Sequence, residues 1–144
     1  VRDLTAWMMK LVEDRAKGVF NAVSPVGAFT MGELITASQK ESPRAGTKVT
    51  WVPEDFLARH WKQEELDLPP WAPTKGELGA VSLTSATRAT KAGLRSRPLP
   101  VTVHDTLQWF QSLPAERQAK LHAGLDPQKE SKTLAEWHAE KGTA

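Results

Sequence analysis

The chain has 144 residues, 40% of them apolar and 25% charged, which is enough for one ordinary globular domain with its own core. With no Cys it has no disulfide, thiolate nucleophile or sulfur-ligated metal, and no stretch approaches the roughly 18 apolar residues of a membrane span. The net charge of +2 is small and argues against a nucleic-acid partner, although Arg88, Lys91, Arg95 and Arg97 lie in a window, Leu78 to His104, without Asp or Glu.

That window reads either as a solvated basic face or as a contact for an anionic ligand or cofactor phosphate. Asp3, Lys10, Glu13 and Asp14 interrupt any apolar run at the N-terminus, so it is not a secretory signal. Together with the missing Cys, this suits a reducing, cytoplasmic setting.

Leu4, Trp7, Met8, Leu11 and Val12 recur at helical spacing, which predicts an amphipathic helix over 4–16, capped by Asp3 and closed by Gly18. Val19 to Val23 is a short apolar run closed by Ser24-Pro25, and it predicts a strand covered on both faces, as in a parallel sheet. Thr30 and Glu33 have the spacing of a capping box for the next helix. Val49 and Trp51 share one face of a predicted strand over 47–52.

Pro53, Glu54 and Asp55 suit the start of a short helix, on which Phe56, Leu57, His60 and Trp61 form the apolar side. Leu68-Pro69-Pro70-Trp71-Ala72-Pro73 fits neither a helix interior nor a central strand, because its three prolines lack backbone donors. Residues 80–83 read as a third strand. Thr84 or Ser85 opens a short helix that Gly93 closes. Further helices are predicted over 101–112, from Pro114 to Gly124, and from Asp126 as cap to Gly142.

The expected fold class is therefore α/β: mostly helical, with a few short strands and one parallel-sheet strand that has no partner in this chain. Trp7, Trp51, Trp61 and Trp109 fall in periodic segments and are expected in packing, and Trp137 is expected to dock the last helix. No His pair has a zincin spacing, and no nucleophile elbow serves a Ser-His-Asp hydrolase.

Several strings, in this order, carry a resemblance: Arg2-Asp3-Leu4; Gly18-Val19-Phe20-Asn21-Ala22-Val23; Thr30-Met31-Gly32-Glu33-Leu34; Pro69-Pro70-Trp71-Ala72-Pro73; and Ala92-Gly93-Leu94-Arg95-Ser96-Arg97-Pro98-Leu99. Together they resemble the C-terminal half of an NAD-dependent epimerase/dehydratase, an extended short-chain dehydrogenase/reductase. The tail, Leu125-Asp126-Pro127 with Leu134-Ala135-Glu136-Trp137, resembles that of reductase-like bacterial members.

The resemblance implies that residues 1–144 are the C-terminal substrate-binding portion of a Rossmann-type enzyme using NAD or NADP. The family's Gly-rich pyrophosphate turn and its catalytic Tyr-x-x-x-Lys pair belong to the N-terminal half. This chain has neither a Tyr nor an initiator Met. It is thus expected to be catalytically incomplete and to bind no cofactor alone. The missing Rossmann half and a small-molecule substrate are its expected partners, and a homo-oligomer is possible.

Relatives often carry an acid near the start of the helix leading to the Gly-Leu signature, where Ser85 stands here, and this leaves the substrate class open. The candidate substrate-binding residues are Trp71, on its Pro-stiffened loop, and Arg97, held extended by Pro98 with a fork suited to phosphate or carboxylate. Packing and a surface salt bridge are the respective alternatives. A second reading is a free-standing, non-catalytic binding or interaction module derived from the family.

Overall fold

The computed structural model describes residues 1–61, 77–120 and 124–142. Among these, regular structure is entirely helical: α1 (Arg2–Glu13), α2 (Met31–Glu41), α3 (Glu54–His60), a 3-10 helix (Glu77–Leu83), α4 (Thr87–Lys91), α5 (Leu99–Gln111), α6 (Ala115–Ala119) and α7 (Pro127–Gly142). No described helix is long and apolar enough to cross a membrane.

The expected α/β class is thereby corrected. A strand is defined by its ladder, and residues 19–23 make no backbone hydrogen bond to another described segment. Their side chains are used instead. Phe20 sets its edge on the Trp7 ring at 5.7 Å, and Asn21 Nδ2 donates to the Ser85 carbonyl at 3.1 Å. Val19 stays 80% exposed, so the run is not covered on both faces. Residues 47–52 are irregular and serve as the lead-in to α3, and residues 80–83 are taken into the 3-10 helix.

Several helix ends match their sequence signals. Thr30 Oγ1 accepts from the Glu33 amide while Glu33 accepts from the Thr30 amide, a complete capping box. Asp126 Oδ1 accepts from the amides of Gln128 and Lys129. At α4 the N-cap is Ala86, without a side-chain cap, and Ser85 Oγ one position earlier accepts from the Thr87 amide at 3.3 Å. Gly93, at φ +92°, closes α4, with its own amide donating to the Thr90 carbonyl and that of Leu94 to Ala89.

Two signals at α1 differ. Val1, not Asp3, stands at the N-cap, which frees the Asp3 carboxylate for a partner elsewhere. The helix closes at Arg15, not Gly18. Arg15 takes φ 49°, its amide donates to Val12 and the Ala16 amide to Leu11, the pattern of a Schellman cap built on an arginine.

Besides Ala37 of α2, the buried apolar residues described lie in two places. Phe56, Leu57 and Trp61 form one cluster, with Val52, Leu125 and Trp137 packed against it. Trp7, Ala86 and Ala89 are buried where α1 meets α4, and Trp7 Nε1 donates to the Ala92 carbonyl at 3.0 Å. α2 packs along α5, and His104 of α5 meets Glu41 of α2 at 2.5 Å. Trp51 and Trp109, expected in packing, are 62% and 58% exposed. Large apolar side chains also stand exposed along α1 and the segment after it: Met8, Met9, Val12, Val19 and Val26.

Candidate functional site

Arg97 is the one candidate binding residue that falls within the described structure; Trp71 lies outside it. Pro98 caps α5 at φ −55° and ψ 139°, so Arg97 enters from an extended segment directly above the first turn of that helix. Its fork points back to α1 and along α5. Nε donates to Asp3 Oδ1 at 2.6 Å, Nη1 donates to Asp105 Oδ2 at 2.6 Å, and the backbone amide donates to Asp3 Oδ2 at 3.0 Å. Arg2 Nη1 shares Asp105 Oδ2 at 2.7 Å.

Two cations and two carboxylates therefore alternate in one network. The Arg97 amide, then its guanidinium, hold the Asp3 carboxyl below the usual carboxylate range. The same Asp3 hydrogen bond, with Asp105 behind it, holds Arg97 more firmly protonated than a free guanidinium.

The network forms one wall of a cleft of about 520 Å³ between α1 and α5, with Val1, Thr102, Thr106 and Trp109 around it. Trp109 supplies an exposed aromatic face and Asp105 a carboxylate, while the Thr106 hydroxyl is turned inward to the Thr102 carbonyl at 2.7 Å. An incoming phosphate or carboxylate meets an Arg97 fork already held by two acids. The arrangement is that of a strut between α1 and α5.

The rest of the basic window is dispersed. Arg88 lies across the Phe20 ring, 5.5 Å from its centroid. Arg95 Nη1 donates to the carbonyls of Thr90 and Leu94. Lys91 borders a second cleft of about 440 Å³, with Pro25, Val26, Ser85 and Thr87. These side chains do not converge on one point with Arg97. Among the described residues no group of three His, Asp or Glu could hold a metal ion.

Sequence reasoning missed Asp3, Asp105, Arg2 and Trp109 as members of this cleft. Asp105 had a local signal, since it lies eight residues after Arg97, about two turns along α5. Asp3 had none, being 94 residues from Arg97. No family model matches the chain, and no curated protein or solved structure shows significant similarity to it.

Proposed function

We propose that this chain is the C-terminal, substrate-binding portion of an NAD(P)-dependent epimerase, dehydratase or reductase of the extended short-chain type. The observation that carries this reading is the meeting of two of the resembling strings, the first and the last. Asp3 accepts from the amide and guanidinium of Arg97, and beside that pair Trp7 donates to Ala92 while Phe20 rests against Trp7. Strings separated by 94 residues thus meet in one folded unit.

The exposed apolar residues of α1 and of segment 19–26 lend further support. Soluble monomers rarely leave large contiguous apolar surfaces uncovered, and a dinucleotide-binding half would cover these side chains. In this reading the chain contributes substrate contacts, and the cofactor and the acid/base pair come from the other half.

Titration with NADH and NADPH, followed by cofactor fluorescence, tests the proposal. The 144-residue chain alone should give no saturable signal. A longer polypeptide that contains it after a Gly-rich turn and a Tyr-x-x-x-Lys pair should bind the cofactor and transfer hydride. Saturable micromolar binding by the short chain, or none by the longer polypeptide, refutes it.

A further inference from the structure

The two arginines on the wall of the α1–α5 cleft are held very differently. Arg97 lies between both acids, with Nε on Asp3, Nη1 on Asp105 and its amide adding a third bond to Asp3, and its side chain is only 26% exposed. Arg2 joins the network at one end. Its hydrogen bond runs from Nη1 to Asp105 Oδ2, an oxygen that Arg97 already holds at 2.6 Å. The Arg2 side chain is 69% exposed, and its remaining N–H groups have no partner among the described residues.

A guanidinium has five N–H donors in a planar fork. One of them serves Asp105, so a second carboxylate can take the open edge of Arg2 without disturbing the Asp3–Arg97–Asp105 strut. Trp109 borders the same cleft with its ring 58% exposed. It stands four residues, about one helical turn, after Asp105 on α5, and therefore on the same side of the helix. The cleft thus offers an uncovered aromatic face and, about a turn away, an arginine edge in need of an acceptor. Its volume of about 520 Å³ suits a one- or two-ring ligand. A cationic ligand is disfavoured, because the Asp105 charge is already answered by two guanidiniums and Arg2 would repel the newcomer.

We infer that this cleft binds a small aromatic carboxylate, its ring stacked on Trp109 and its acid group on the free edge of Arg2. The site stands whether or not the chain belongs to an NAD(P)-dependent enzyme, since every group in it comes from α1, α5 and the residue before α5. Asp105 is the one group that opposes such a ligand, because its carboxylate competes for Arg2 and repels the incoming charge.

Nitrogen–proton correlation spectra of the full 144-residue chain, titrated with naphthoate, test the inference. The Trp109 indole N–H, identified by its loss in Trp109→Ala, should shift saturably together with amides of the first turns of α1 and α5. A ligand of this size in an open cleft should give a Kd of about 1 mM or below. Naphthamide, which lacks the charge, and acetate, which lacks the ring, should each bind at least about fivefold more weakly. Arg2→Gln and Trp109→Ala change exposed side chains, so both should fold, and each should weaken naphthoate by roughly five- to tenfold. Asp105→Asn should tighten it, a change of sign that general loosening of the cleft does not produce. Lys91→Gln, outside the cleft, should leave it unchanged. Absence of saturation at Trp109, equal binding of naphthamide, or naphthoate affinity that survives Arg2→Gln or falls equally in Lys91→Gln overturns the inference.

Discussion

Phe56 is the residue whose loss the structure weights most heavily. It is 1% exposed, the only large side chain among the described residues that is fully buried. Three groups rest on its ring: His60 in a stack, Trp137 on edge, and the Arg59 guanidinium 5.7 Å from the centroid. Phe56→Ala removes most of the transfer free energy of a phenyl group and leaves a void that α3 and α7 close only in part. Such changes cost about 3–5 kcal/mol, a large share of the roughly 5–15 kcal/mol that holds a domain folded. Phe56→Leu keeps most of the volume and loses the aromatic contacts, worth about 0.5–1.5 kcal/mol for each ring pair, so it should cost less than half as much. Urea titration followed by circular dichroism gives the two free energies, and hydrogen exchange shows where the loss falls. Protection should drop over α3 and α7 first. A Phe56→Ala loss below about 1 kcal/mol, or one spread evenly over α2 and α5, would show that this cluster is not the core of its region.

Two glycine-type positions give opposite expectations. Gly93→Ala places a Cβ 2.9 Å from Lys10 Cε at φ +92°, and should destabilise by about 1–2 kcal/mol, whereas Arg15→Gly relieves an arginine at φ 49° and should stabilise by up to about 1 kcal/mol; thermal melts distinguish both from no change. Asp3 has a lowered folded-state value, so its stabilising contribution is complete above the ordinary value of 3.8 and is lost as the pH falls through the lowered one. Acid titrations of the wild type and Asp3→Asn should therefore converge at the acid end and separate towards neutrality, and parallel curves would count against the strut.

What the sequence discloses about this fold is local. The Thr30–Glu33 box, the Asp126 cap and the Gly93 closure are decided by residues within a few positions of one another, and the structure has them where the spacing places them. The expected strand at 19–23 fails for a non-local reason. An apolar run becomes a strand only when another backbone accepts its ladder, and none of the described segments does so. Trp109 lies on a periodic helix yet faces outward beside the cleft, because periodicity identifies a face without saying whether anything covers it. Arg97 shows both sides of the matter. Its extended backbone was legible from Pro98, and its second acid, Asp105, lies within the same helix. Its first, Asp3, comes from the far end of the chain, and no local pattern announces it.

That separation bears on the order in which the molecule assembles. The Asp3–Arg97 pair closes a loop of 94 residues, and the entropy of drawing such distant ends together must be overcome before their hydrogen bonds form. The capping box, the Schellman turns and the i to i+4 ion pairs form inside their own segments and need no such closure. The strut is thus a late arrival in folding. Substitutions there act on the rate at which the finished protein comes apart, and scarcely on the rate at which it is made. Arg97 fastens α1 beside the Trp7–Ala92 contact.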